Sequence, residues 1–477
     1  MKKEILLIRE LNVEYNATRR LENISLCLMQ GECISLLGLV NSGKNLLVEV
    51  LCGLESIDEG MVYLDNKRII NMQELQKEVY KIKESNYLID DWTVAEYVSL
   101  VSQESTLGVY RKKNVIERTE QIFAEMKLEI NVNKKLKELS ELEKRQVDLM
   151  KAYKTKAKIL IIEDEFEGCT THDIEIFKGL LNQVVGNHMG VIINSHSDNV
   201  SYILSDQYII FKKGHIVKKC SRDYIQSSEH LEKFILGTKI KYKKETLDKL
   251  KSEQVNESEI VYSICPFISD SGKNLEFKFR KSEVISILAL NTKEKENIFN
   301  YLSGRYTNKY MTIQLDQQVC SFDTIVDFVN NKIVSIAHMG SEDELLMNMT
   351  IGENLLMPSL HKISAIRYIL AEHNLSKVLE KQVDESIAEN GEPIKRMSTN
   401  DHIILLLERW YIFKPKVLVL FEPFVHCDVY GVSLVQSYIK KFSGMGTTVI
   451  IVKSREEYIE EISDRIINVD SNERGEY

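Results

Sequence analysis

The feature that most constrains this chain is that it repeats itself. Residues 22–37, ENISLCLMQGECISLL, and residues 275–290, LEFKFRKSEVISILAL, share one pattern: an alternating strand, a turn with a charged exit, then an apolar strand. The pairing returns further on, with LKELSELEKRQVDLMKAYKTKAKILIIE at 136–163 and IKRMSTNDHIILLLERWYIFKPKVLVLF at 394–421. Each reads as a Leu/Met-Ser turn, a helix with an apolar stripe, a lysine-flanked step and a buried strand. From Leu139 to Glu163 is 24 positions, and from Met397 to Phe421 is the same 24. A chain of 477 residues is too long for one core. Two α/β domains are therefore expected, 1–236 and 260–477, with strands and helices alternating in each. Residues 237–259, GTKIKYKKETLDKLKSEQVNESE, are rich in Lys, Glu and Ser and read as a solvated linker.

Composition narrows the function classes. No apolar run approaches the roughly 18–20 residues that cross a bilayer, and the opening MKKEILLIRELNVEY reads as a strand rather than a signal peptide, which points to the cytosol. The net charge of −9 argues against duplex nucleic acid as the main partner. The eight cysteines are scattered without a C-x-x-C pair and read as free thiols.

Residues 38–45, GLVNSGKN, come between an apolar strand and an apolar helix and almost spell a phosphate-binding loop. Gly38 and Gly43 are free to take backbone angles that other residues avoid, and Asn41 tolerates left-handed geometry. Amides around Ser42 would then turn inward on phosphate oxygens at the helix start, and Lys44 would add a point charge. Asn45 stands where the motif has Ser or Thr; its carbonyl oxygen is the remaining donor for a metal ion. The second half has ALNTKEKEN at 289–297, with Lys295 but no glycine, and Glu294 and Glu296 beside it. A nest of amides would be strained there, and two carboxylates would repel an anion.

In the first half LSELEKRQ (139–146), ILIIEDE (159–165) and INSHSDN (193–199) follow the loop; in the second come TIGENL (350–355), ERWYIFKPKVLVLFEPFVHCD (408–428) and SDRIINV (463–469). In this order and spacing the chain resembles the ATP-binding subunits of bacterial sugar importers of the ribose/galactose type, which carry two ABC domains in one chain. The resemblance spans essentially the whole chain. It implies two tandem ABC-type P-loop NTPase domains, each with a helical subdomain, and ATP with Mg2+ as ligands. It further implies membrane permease subunits as partners, a solute-binding protein behind them, and a location on the inner face of the cell membrane.

The resemblance also assigns roles. Tyr15 matches the ring that stacks on adenine, Glu84 the residue that senses magnesium and contacts the permease, and His196 the switch histidine on the γ-phosphate. Glu163 and Asp164 fall on the magnesium and water-polarising acids, side-chain lengths swapped, with Glu165 at the family's proline; a slip of one residue would make Asp164 and Glu165 the pair. Phe421 replaces the second magnesium acid while Glu422 keeps the catalytic place, and Ser454 stands at the histidine position. Ser140 and Ser398 survive in the signature turns, but both glycine pairs are gone and Asp401 adds negative charge; Ser398 would cap the nucleotide of the Lys44 loop. The composite sites would close either within this chain or between two copies of it. The expected function is an ATP-binding transporter subunit with weakened or lost hydrolysis. The alternatives are a non-catalytic regulatory or assembly protein on the same scaffold, and a soluble tandem-ABC protein acting on ribosomes.

Overall fold

A computed structural model describes residues 3–14, 20–39, 42–83, 89, 91–99, 112–186, 189–225, 260–268, 274–306, 312–359, 394, 397–425 and 427–469. The chain divides into two compact units, Met1–Lys241 and Tyr242–Tyr477. The proposed linker, 237–259, lies outside the described residues.

In the first unit the central sheet runs Val79–Lys83, Ile159–Glu163, Gly190–Ile193, Cys33–Leu37 and Gln207–Lys212 side by side and parallel, with His215–Ser221 antiparallel at the edge. These strands are short apolar runs because both faces of a parallel sheet are covered. Leu160 and Ile162 point into a core with the helices Glu141–Thr155 and Thr171–Val185. Ile159 and Ile161 point the other way, into a core shared with the helix Lys44–Leu51 and a small antiparallel sheet. That second sheet pairs Arg20–Met29, Glu4–Glu14, Glu59–Leu64 and Lys67–Ile69 in this order.

The second unit repeats the plan. Ile333–Ile336, Val417–Phe421, Thr448–Lys453, Val284–Leu288 and Arg465–Asn468 form a parallel sheet in the same spatial order as their counterparts. The four-stranded antiparallel sheet beside it has the same order too. The two stretches matched by their 24-residue spacing give two 15-residue helices, Glu141–Thr155 and Thr399–Phe413. Each starts at a serine capping box and ends in a left-handed lysine, Lys156 or Lys414. Among the described residues, no helix is long and apolar enough to cross a membrane.

Candidate functional site

The loop after Cys33–Leu37 is shaped by its two glycines. Gly38 has φ +155, and a Cβ there would meet the carbonyl oxygen of Phe211 at 2.7 Å. Gly43 has φ +103, and its Cβ would press on Leu21 at 2.9 Å. Gly43 is also the N-cap of Lys44–Leu51 and brings no side chain to the helix start. Lys44 is 3% exposed, and its Nζ donates to the Ser195 carbonyl at 3.1 Å. The buried Ser42 hydroxyl has no hydrogen-bond partner among the described residues. Tyr15, Asn41 and Glu84 lie outside the described residues.

The three acids at the end of Ile159–Glu163 have three different surroundings. Asp164 is 1% exposed and gripped by Arg145, whose Nε and Nη2 donate to its two oxygens at 2.8 and 3.0 Å. The Phe166 amide adds a third bond at 2.6 Å. Arg145 comes from the helix that follows the Ser140 turn, and Asp164 keeps its guanidinium firmly protonated against the effect of burial. Glu165, also buried, faces the segment holding His196: it accepts from Ser195 Oγ at 2.6 Å, His196 N at 2.8 Å and Ser197 N at 2.9 Å. Glu163 is half-buried and turns toward Lys81, with Nζ and Oε2 2.5 Å apart. The Asn194 amide bridges Glu163 Oε1 and Asn45 Oδ1, 3.1 Å from each. The structure therefore groups Lys44, Glu165 and His196 about one loop, while Asp164 faces away from that loop into an ion pair with the signature helix.

The second unit rearranges the equivalent groups. Lys295 is fully buried; its Nζ lies 2.7 Å from Glu422 Oε1 and 2.8 Å from Ser454 Oγ, over the face of Phe421. Glu422 also accepts from the Ser454 amide at 2.8 Å, as Glu165 does from His196 in the first unit. Burial opposes the charge of Glu422, but Lys295 and Lys453 hold its carboxyl below the usual range. Asn291 caps Thr292–Leu302 by accepting from the amides of Lys293 and Glu294 at 2.9 and 3.2 Å. The lysine, the helix start and the switch position are thus served by the unit's own oxygens. At the signature turns Ser140 is closed by Glu143, and Ser398 by Asp401, whose Oδ2 takes Ser398 N at 3.0 Å and Ser398 Oγ at 2.7 Å. The acids that follow the lost glycines act as helix caps.

Parallel sheet, glycine-shaped loop, buried lysine at a helix start and a switch loop on a glutamate define an ABC-type ATP-binding fold in the first unit, and the second unit repeats the sheet, the lysine and the glutamate without the glycines. Residues 21–166 match the family described as ABC transporter. The whole chain is similar to the ribose import ATP-binding protein of Caldanaerobacter subterraneus subsp. tengcongensis, 22% identical over 472 residues, covering 97% of this chain and 94% of that protein. The xylose import ATP-binding protein of Thermoanaerobacter pseudethanolicus is 23% identical over 489 residues, covering 98% and 94%. A solved nucleotide-free ATP-binding cassette from an ABC transporter is 20% identical, covers 49% of this chain and 95% of its own, and has a TM-score of 0.40.

Three contributors were not singled out by sequence reading. Lys81 had one available signal, a lysine in the middle of VYKIK where a covered strand is apolar. Arg145 and Asn194 had none, because their partners are distant in the chain.

Proposed function

We propose that this chain is the ATP-binding subunit of a sugar-type ABC importer, coupling nucleotide binding in its first unit to a membrane permease, with hydrolysis weakened. The observation that carries the reading is the joint one: similarity to ribose and xylose import ATP-binding proteins over 97–98% of the chain, and a first-unit loop that keeps its two glycines and buried lysine. The Lys44 ammonium rests on a neutral carbonyl, a contact that phosphate oxygens replace with charge-assisted bonds. Ser42 and the uncapped helix start supply further donors. His196, joined to Glu165 through its amide, is the group we assign to the γ-phosphate.

Weakened hydrolysis rests on the surroundings of the acids. Asp164, which sequence spacing puts at the water-polarising place, has both oxygens committed to Arg145. Glu165 is better placed toward the switch loop, yet its oxygens already accept three bonds from it. Catalytic groups misplaced by about 1 Å lose on the order of a hundredfold in rate. In the second unit Lys295 is paired with Glu422, so we assign nucleotide binding to the first unit alone. Sequence features further suggest domains 1–236 and 260–477, with permease contacts on the inner face of the membrane.

Co-purification from membranes tests the partner: permease subunits retained with the tagged chain support it, and a soluble partner alone turns the reading toward a regulatory protein. Steady ATP turnover at ordinary transporter rates, abolished by Lys44→Ala, would overturn the weakened hydrolysis.

A further inference from the structure

We infer that the first unit binds its nucleotide without a divalent cation, Lys81 neutralising the Glu163 carboxylate in the ion's place. The inference rests on the nucleotide-binding reading above and concerns the chemistry of that same site. In the family that the chain resembles, the ion is met by the residue after the loop lysine and by the strand-end acid. Here those residues are Asn45 and Glu163. Magnesium requires close to octahedral coordination by oxygens at about 2.0–2.1 Å. The oxygens of Asn45 and Glu163 are directed at nitrogen donors instead. Asn194 Nδ2, which carries two N–H groups, gives Asn45 Oδ1 and Glu163 Oε1 one contact each at 3.1 Å. Glu163 Oε2 holds the Lys81 ammonium at 2.5 Å. As arranged, this set does not fit the ion.

Lys81 owes its place to the sheet. Val79–Lys83 lies parallel to Ile159–Glu163 with Lys81 beside Ile161 and Lys83 beside Glu163, so the Lys81 side chain runs forward along the strand to meet the carboxylate. Its side chain is 19% exposed and that of Glu163 34%, and Asn194 links Glu163 to Asn45 beside the loop, so an unneutralised carboxylate here would repel a bound anion. A divalent cation arriving there meets the like charge of Lys81 and a carboxylate already neutralised by it. An ammonium is a compact point charge that suits phosphate oxygens. Lys44 gives the nucleotide a fixed positive charge, and Lys81 cancels the negative one of Glu163, without an ion.

Titration of the full chain with mant-ATP, in excess Mg2+ and in EDTA, tests this. An ion that bridges nucleotide and protein couples their binding by roughly 5- to 150-fold, whereas here the two affinities should agree within about threefold. Lys44→Ala should abolish binding in both buffers. Lys81→Met should weaken binding in EDTA by about tenfold, and Lys81→Arg should retain it, since the charge remains. Wild-type binding that tightens about tenfold or more in Mg2+ overturns the inference and leaves the nucleotide reading standing. Unchanged EDTA binding by Lys81→Met overturns the role of Lys81. Absence of binding in both buffers overturns the nucleotide reading as well. The wild-type pair of titrations decides the question even where Lys81→Met fails to fold.

Discussion

Replacing Arg145 with Met is the sharpest test of how the first unit is held together. The guanidinium and the Asp164 carboxylate are 3% and 0% exposed, joined at 2.8 and 3.0 Å, so neither charge has water to fall back on. Methionine keeps much of the apolar stem, which packs over Phe166 with the guanidinium carbon 5.2 Å from the ring. What it removes is the compensating charge, leaving Asp164 with the Phe166 amide and taking from Glu141 a partner at 3.2 Å, with Lys144 still beside it. Breaking a buried pair from one side typically costs about 3–5 kcal/mol, mostly as the penalty of the stranded charge. For a unit of this size that is a fall in Tm of roughly 10 °C. Arg145→Met/Asp164→Asn, which removes both charges, should recover at least half of the loss. The chain has two tryptophans, Trp92 in the first unit and Trp410 in the second. In a Trp410→Phe background, urea unfolding followed by Trp92 fluorescence reports on the first unit, whose core Trp92 packs against. A cost below about 1 kcal/mol for the single variant, or a double variant no better than the single, would refute the argument.

Other outcomes follow from the same physical reasoning. Burial pushes the Lys453 amine down to about 8 from 10.5. Below pH 8 the lysine is protonated in both states, and the folded one bears the cost of a buried ammonium. Between about 8 and 10.5 the unfolded chain holds a proton that the folded chain has released, so the second unit should gain up to about 3 kcal/mol as pH rises; Lys453→Met should flatten that limb of the Trp410-monitored stability profile. Asp148 accepts the hydroxyls of Tyr80 and Tyr97 at 2.8 and 2.9 Å, tying the helix Glu141–Thr155 to the strand Val79–Lys83 and the helix Val94–Ser99. Asp148→Ala strands two phenols and should cost about 2–4 kcal/mol in Trp92-monitored unfolding, with Tyr80→Phe/Tyr97→Phe in the same background recovering part of it. Lys295→Met should lower the second unit's Tm by roughly 10 °C, since Glu422 loses its nearest counter-charge, and on the proposal that nucleotide binds to the first unit it should leave mant-ATP affinity unchanged.

The architecture was legible because its signals are local. Apolar runs such as CISLL and VISIL become covered parallel strands, and Ser140 and Ser398 with an acid three residues on become capping boxes. The 24-residue spacing paired the two halves correctly because both helices have the same length and the same left-handed exit. Asp401 was read as a charge against phosphate, and its capping role is the local alternative that the spacing itself encodes. The acids at 163–165 were less legible. Spacing can count positions along a strand, but which carboxylate turns to which face was decided by Arg145 and Ser195, 19 and 30 residues away from their partners Asp164 and Glu165. Lys81 escaped notice because its partner is set by strand register, which only the assembled sheet defines.

The Lys295–Glu422 contact bears on history as well as energetics. A lineage could regain glycines in the 289–297 stretch by ordinary substitution, and the loop would then be shaped to receive phosphate. The carboxylate 2.7 Å from Lys295 would still be there as its counter-charge. Removing that carboxylate would strand a buried ammonium. The pair thus gives the buried lysine a task in the fold that does not depend on nucleotide, and selection for stability alone keeps it.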